Sequence, residues 1–320
     1  MTLDTLPRVP LACLPTPVQE LPRLSALLGR RLLIKRDDLT GLALGGNKAR
    51  KLEFLCADAL RQGADTLITT GAPQSNHCRQ TAAAAAALGL RCVLVLTGPP
   101  QAADSGNLLL DSLVGAELVW AGGKSRDPAL QETFAREQSS GKKPYLIPYG
   151  GSNPLGAAAY AAAVRELAGQ KIRPDWILFA SSSGGTQAGL ALGVEWFGVK
   201  SRVQGISVDW KADPLREKIH ALMRETARTV GASESIPIES IHIDDRFLGA
   251  GYGKVGELER EAIQLFARRE GILLDPVYTG RAAGGMLEMI RRYEIGASET
   301  VLFWHTGGTP ALWAYANEIL

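Results

Sequence analysis

Aromatic residues are scarce, 6% of the chain, and the net charge is only +2, from 35 Lys and Arg against 33 Asp and Glu. A nucleic-acid binder carries a clustered basic surplus, and none shows here. Cysteine is sparse: Cys13, Cys56, Cys78 and Cys92, none in a CxxC pair. His77, His220, His242 and His305 are scattered without metal-ligand spacing. Neither pattern supports a structural zinc site. Those cysteine spacings fit reduced, buried thiols in a cytosolic protein. No window reaches the ~18 uncharged apolar residues of a membrane span. The longest apolar stretch, Ala82–Leu90, is closed by Arg91. The N-terminal segment MTLDTLPRVPLACLPTP has an early Asp and several prolines, without the basic start and apolar core of a signal peptide. The expectation is a cytoplasmic protein with neither nucleic-acid nor membrane partners.

What is present in excess is glycine, 35 residues, where roughly 7% is average. Glycine in excess points to turns, nests of backbone N–H groups and loops that approach a small molecule closely. The 46% hydrophobic and 21% charged content excludes disorder and a fibrous chain. A length of 320 residues fits about two domains.

Short β-branched runs alternate with longer helical patterns. The expected strands are Thr66–Thr70, Cys92–Leu96, Glu117–Trp120, Pro144–Ile147, Trp176–Ala180, Val203–Val208, Ser240–Ile243 and Thr300–Trp304. Leu52, Leu55, Cys56 and Ala59 form one apolar stripe at helical spacing; Leu190–Phe197, Leu215–Val230, Leu258–Ala267 and Ala282–Ile290 read similarly. The six-Ala run Ala82–Ala87 reads as a helix packed closely on its neighbours. Such alternation predicts an α/β fold with parallel sheets covered by helices. Ligands then sit beyond the carboxyl ends of strands, where Gly71-Ala-Pro, Ser183-Gly-Gly and Thr306-Gly-Gly follow strands.

Several motifs are decoys. Gly251-Tyr-Gly-Lys-Val-Gly256 matches GxGxxG, with Asp275 at about the distance of a ribose-binding acid. The preceding strand ends near Ile243, so the first glycine does not close a strand-to-helix turn, and a dinucleotide site fails. Gly123-Lys-Ser125 lacks the first glycine of a phosphate loop, because position 118 is Leu. Ser181-Ser-Ser-Gly has no GxSxG elbow. Five other segments carry more. Lys48 lies in Gly45-Gly-Asn-Lys-Ala-Arg-Lys-Leu-Glu53, at a helix start, where a positive helix end favours the neutral amine. A lysine there is more often a solvated surface charge. Ser75, Asn76 and His77 follow the strand TLITT and either hold an anion or cap the next helix. Ser181-Ser-Ser-Gly-Gly-Thr186 is a nest suited to a phosphate. Leu274-Asp-Pro-Val-Tyr-Thr-Gly280 and His305-Thr-Gly-Gly-Thr309 complete the set. Singly, each of these last two fits local hydrogen bonding as well as function.

Together and in this order, GGNKxRKLE, QSNHxRQ, the Gly/Ser cup, LDPVYTG and HTGG resemble the pyridoxal-phosphate enzymes of the tryptophan-synthase-β fold type. The resemblance is to the D-cysteine desulfhydrase and 1-aminocyclopropane-1-carboxylate deaminase family and runs from about Leu14 to Leu320. It implies two open, twisted, mainly parallel sheets with flanking helices, the fold type II architecture. It implies pyridoxal 5'-phosphate as cofactor, with Lys48 as the Schiff-base lysine and Ser183, Gly184, Gly185 and Thr186 at the cofactor phosphate. Asn76 would bond the cofactor's phenolic oxygen, and Thr306 would meet the pyridine nitrogen. Ser75, Asn76 and His77 would receive the substrate carboxylate, while Tyr252 and Tyr278 would face the substrate. Lys48, Ser75 and Tyr278 all remain candidates for moving the α-proton.

The expected reaction is β-elimination on D-cysteine, giving pyruvate, ammonia and hydrogen sulfide. In the cyclopropane deaminases of this family Glu follows the Tyr that matches Tyr278, whereas here Thr279 follows. That counts against ring opening. L-Cysteate sulfo-lyases share the QSNH, GAGYG and LDPVY segments, so sulfite stays open as a leaving group. A non-catalytic binder on the same scaffold is the alternative of another class, and Lys48 argues against it. The resemblance places a larger, cofactor-binding domain at residues 1–44 and 165–320 and a smaller inserted domain at 45–164. It also implies a small amino-acid substrate and a homodimer.

Overall fold

The computed structural model describes residues 2–320. From the N-terminus the chain forms β1 (Val18–Glu20), α1 (Pro22–Leu28), β2 (Leu32–Arg36), α2 (Lys48–Arg61), β3 (Thr66–Gly71) and α3 (Asn76–Ala87). It continues through β4 (Arg91–Leu96), α4 (Gly106–Leu113), β5 (Glu117–Trp120), α5 (Arg126–Ser139), β6 (Pro144–Leu146), α6 (Pro154–Gly169), β7 (Trp176–Ser181) and α7 (Gly185–Trp196). The remainder is β8 (Arg202–Ser207), α8 (Ala212–Val230), β9 (His242–Asp244), α9 (Glu257–Glu270), α10 (Thr279–Arg291), β10 (Val301–His305), α11 (Ala311–Ala314) and α12 (Ala316–Ile319). One sheet has six strands in the order β1-β2-β10-β7-β8-β9, parallel except for β1. The other has four parallel strands in the order β5-β4-β3-β6.

The alternation of side chains along a strand builds a core on each face of the larger sheet. On β10, Val301 and Phe303 pack with Phe266, Ala283 and Met286 of α9 and α10. Leu302 and Trp304 point the other way, against Tyr160, Val164, Leu190 and Val194 of α6 and α7. Those two helices touch closely: a Cβ on Gly189 would lie 2.1 Å from the Ala157 carbonyl oxygen. On the smaller sheet, Leu67, Leu94 and Leu96 face α2 and α3, and the buried alanines of α3 allow the tight approach expected of the six-Ala run.

All eight expected strands form, within a residue or two at their ends. The largest offset is at Ser240–Ile243, where a 3-10 turn occupies Ile238–Ser240 and β9 begins at His242. Two strands escape the sequence pattern, β1 and β2. β2 reads LLIKR, and its Lys35 is fully buried. A charge in an apolar run argues against a buried strand unless it finds partners. Lys35 finds them: its Nζ donates to Glu166 at 2.5 Å, to the Thr16 carbonyl at 2.7 Å and to Gln170 at 2.8 Å.

Glu166 belongs to a larger buried network that anchors α2. Arg50 donates to both oxygens of Asp37, at 3.0 and 2.8 Å, and to both oxygens of Glu166, each at 2.9 Å. Tyr160 and the Trp304 indole each donate to Asp37 at 2.7 Å, and Thr16 at 2.9 Å. Burial alone would raise the Asp37 carboxyl, but Arg50, with Tyr160 and Trp304, more than offsets this, and the net shift is downward.

Candidate active site

The carboxyl ends of β3, β7 and β10 open into loops that meet at one cleft. Lys48, Ser75, Asn76, His77, Ser183, Gly184, Thr186, Tyr278 and Thr306 all line it. Gly185 and Tyr252 stand directly behind that lining, bonded to Ser152 and Tyr278. The GYGKVG segment is a loop between β9 and α9, not a strand-to-helix turn, and its role here is to carry Tyr252.

Lys48 is the first residue of α2. Its Nζ donates to the Asn47 side chain at 3.1 Å. Asn47 in turn donates to Thr186 Oγ1 at 3.1 Å and, through its backbone, to the Thr306 carbonyl at 2.9 Å. One side chain thus joins the lysine, the nest and the HTGG loop, a link between distant segments that no sequence spacing shows. Although Lys48 keeps some surface at the cleft, protein encloses it. Burial, aided by the positive Arg79 and opposed by Asp275, pushes its ammonium down to about 8. Near pH 8 about half of such amines are neutral and nucleophilic, against a few per thousand at an ordinary lysine value.

Lys51, three residues on along the same helix, was not expected at the site. It is buried, donates to the Gly150 carbonyl at 3.0 Å, and is held well below its ordinary value by burial and by the Lys48 charge. The i to i+3 spacing was the available signal.

The nest forms where β7 runs into α7. Gly184 takes φ +93 and opens α7 with no side-chain cap, so the first N–H groups of α7 are not capped from within the helix. Ser183 Oγ lies 2.7 Å from Ser152 Oγ, which accepts from Gly185 N at 3.1 Å. A buried Ser181 hydroxyl on the cleft wall has no partner among the described residues. A helix N-terminus, several hydroxyls and two amines are the donor set that a phosphate ester with an aldehyde requires. The residues present therefore fit pyridoxal phosphate.

Ser75 lines the cleft and makes the cap that was one reading of its segment. It caps α3, its Oγ accepting from Cys78 N at 3.2 Å, and the hydroxyl hydrogen remains available to the cleft. His77 lines the cleft too, and its ring also bonds within the protein. Thr69 Oγ1 donates to the Ile147 carbonyl at 2.8 Å, so His77 Nε2, 2.8 Å away, is assigned as donor to that hydroxyl. Burial, with the charges of Lys48 and Lys51, holds the imidazole well below its ordinary value, hence neutral. It therefore offers no cation to a carboxylate, and its contribution to the cleft falls to the backbone N–H in the first turn of α3.

Tyr278 and Tyr252 meet edge to face, their hydroxyls 2.6 Å apart. Burial keeps both phenols raised and protonated. Asp275, considered above only as a false ribose acid, shapes this wall. Its carboxylate accepts from the backbone N–H groups of Val277, Tyr278 and Thr279 at 3.0, 2.9 and 2.7 Å, and from the Thr279 hydroxyl at 2.7 Å. Thr279 is thereby turned into the protein. Ser182, beside the nest, donates to the half-buried Asp209 at 2.7 Å, another contact between separate strand ends.

The chain matches the family of pyridoxal-phosphate dependent enzymes over residues 9–307. It is 45% identical over 327 residues to a D-cysteine desulfhydrase of Yersinia pestis (strain Pestoides F), covering 99% of this chain and 98% of that one. To a D-cysteine desulfhydrase of Salmonella newport (strain SL254) it is 43% identical over 326 residues, with the same coverage. Among solved structures, an ACC deaminase homologue superposes with a TM-score of 0.92 at 40% identity, covering 99% of this chain and 96% of that one. A threonine deaminase from T.th. superposes with a TM-score of 0.62 at 25% identity, covering 92% of each chain.

Proposed function

Because this chain belongs to the pyridoxal-phosphate-dependent enzymes, we propose that it is a lyase that converts D-cysteine and water to pyruvate, ammonia and hydrogen sulfide. The observation that carries the chemistry is the meeting, in one cleft, of a lysine with a lowered ammonium, a helix N-terminus without a side-chain N-cap and the protonated Tyr278, which Tyr252 backs. Full-length identity to D-cysteine desulfhydrases supports the substrate. The buried Thr279 supports it further, since this position offers no carboxyl group to the cleft.

Lys48 would hold the cofactor's aldehyde carbon, with Ser183, Gly184, Gly185 and Thr186 at its phosphate, Asn76 at its phenolic oxygen and Thr306 at its ring nitrogen. When bound, the cofactor supplies an electron sink for the carbanion beside the substrate amino group. The neutral Thr306 hydroxyl draws less on the ring than an acid would, which elimination tolerates because the leaving sulfur carries the electron pair away. Ser75 Oγ and the first backbone N–H groups of α3 are placed to receive the substrate carboxylate. Lys48 Nζ, once free, suits removal of the α-proton. Tyr278, protonated and backed by Tyr252, suits donation of a proton to the departing sulfur. The released enamine then hydrolyses.

The test is a screen of the cofactor-loaded protein against D-cysteine, L-cysteine, β-chloro-D-alanine, L-cysteate and 1-aminocyclopropane-1-carboxylate. The expected result is sulfide and pyruvate in equal amounts from D-cysteine. Turnover of L-cysteate or the cyclopropane acid alone would overturn the substrate assignment, and no turnover of any would favour a non-catalytic binder.

The same reading carries a larger domain at 1–44 and 165–320 and a smaller one at 45–164. It is supported by a four-stranded sheet whose strands run from Thr66 to Leu146. It also carries a cytoplasmic location, supported by four cysteines in the free state, three of them buried. Among the described residues no helix is long and apolar enough to cross a membrane. A homodimer is part of the proposal, and exposed Leu39 and Leu44 in one loop offer apolar surface for it.

A further inference from the structure

Arg79 and Gln80 close the QSNHxRQ segment, yet so far Gln80 has no part in the site and Arg79 enters only through its charge near Lys48. Arg79 is fully buried and makes no ion pair among the described residues; its bonds go to amide and backbone oxygens. Nη1 donates to Asn76 Oδ1 at 3.0 Å and to Asn107 Oδ1 at 2.7 Å, and Nη2 donates to the Gly45 carbonyl at 2.6 Å. Asn107 Nδ2 donates to the same Asn76 Oδ1 at 3.0 Å and to the Gln74 carbonyl at 2.7 Å. Gln80 accepts from the N–H of Ala49, the residue after Lys48, at 2.7 Å. The starts of α2 and α3 are thus clasped together beside the cleft.

Burying a guanidinium without a carboxylate is unfavourable. Nearby Asp111 is no remedy: it is buried with both oxygens unpartnered, and burial pushes its carboxyl up to about 8, so at neutral pH it stays largely protonated. The Arg79 charge is therefore turned on neutral oxygens, those of the Asn76 and Asn107 amides and the Gly45 carbonyl, while its Nε has no partner among the described residues. Two donors on Oδ1 prevent the Asn76 amide from flipping, so its Nδ2 hydrogens are the group it can offer to the cleft. A cation on the carbonyl oxygen of an amide also makes its N–H groups stronger donors.

We infer that Arg79 is a positioning residue for the cofactor: it fixes and polarises the Asn76 amide so that Nδ2 stabilises negative charge on the cofactor's ring oxygen, with Asn107 as its support. This rests on the reading above in which Asn76 bonds that oxygen.

A double-mutant cycle tests it. Full-length wild type, Asn76→Ala, Arg79→Lys and the double variant are stripped of cofactor. The pyridoxal phosphate concentration at half saturation is then read from the visible band, with melting curves of the cofactor-free proteins alongside. A hydrogen bond to a charged group is worth about tenfold or more in affinity, so Asn76→Ala is expected to weaken binding roughly tenfold. Arg79→Lys keeps the charge but loses the fork that reaches three partners, and is expected to weaken binding by about fivefold. The double variant should fall within about twofold of Asn76→Ala alone, because Arg79 acts through Asn76. Single effects that multiply in the double variant, or a folded Arg79→Lys that binds as wild type does, would overturn the inference while leaving the Asn76 reading intact. An Asn76→Ala variant with unchanged affinity would instead overturn that underlying reading. If Arg79→Lys does not fold, Asn107→Leu takes its place in the cycle with the same expected and overturning outcomes.

Discussion

Lys48→Ala is expected to give a folded, colourless protein whose pyruvate formation from D-cysteine is lower by about three to four orders of magnitude. The size follows from losing, in one side chain, both the covalent attachment and a positioned base worth about 10²–10⁴-fold. Folding should survive. Alanine is the best helix former, position 48 opens α2, and the lysine is an enclosed amine without a carboxylate bonded to it. The pH dependence of the cofactor-free protein gives a second readout. The Lys48 ammonium is lowered to about 8 in the folded state, from an ordinary value near 10.5. Between those values the unfolded chain holds more protons at this residue, so its contribution to stability rises with pH. The Lys48→Ala protein should lack that part of the rise. Chemical denaturation at pH 7.5 and pH 10, with absorbance and pyruvate assays, checks all of this. A yellow, active variant would contradict the assignment.

Asp37→Ala is expected to be the most destabilising single change in the framework under the site. It removes the acceptor shared by Arg50, Tyr160, Trp304 and Thr16, all around a fully buried position. Breaking a buried pair by deleting one partner costs about 3–5 kcal/mol, which lowers the melting temperature by roughly 10 °C. The Asp37 and Glu166 carboxyls are both held below their ordinary values, in each case because the Arg50 ion pair and its hydrogen bonds outweigh burial. Their contribution to stability is therefore present above about pH 4 and disappears as pH falls through the folded-state values. The variant should show a shallower acid dependence than wild type. A loss under ~1 kcal/mol at pH 7 would mean that the network is not what anchors α2.

The sequence made the repetitive parts of this fold legible and hid the parts made by singular contacts. Eight strands were visible because their side chains alternate between two apolar faces or run continuously apolar. β2 was not, because Lys35 and Arg36 look like the end of a run, and Glu166, the partner that lets Lys35 be buried, lies 131 residues away. The same holds at the cleft. Lys48, Asn76 and the Ser183–Thr186 nest were legible as motifs. Asn47, Lys51 and Ser152 were not, since each acts by joining loops from different elements. His77 was legible as part of its motif, but the Thr69 bond to its Nε2 and the burial that keeps the ring neutral were not. Part of the glycine surplus is now explained by contact. On Gly185 a Cβ would lie 2.6 Å from Ser152 Oγ, and on Gly308 2.6 Å from the Asp275 carboxylate.

The central claim is that Lys48, and not its buried neighbour Lys51, carries the cofactor. Borohydride reduction of the loaded protein, followed by peptide mapping by mass spectrometry, tests it most directly. The account predicts one phosphopyridoxyl group per chain, on the peptide that contains Lys48 and at that residue. A label on Lys51 or on any other lysine would contradict it.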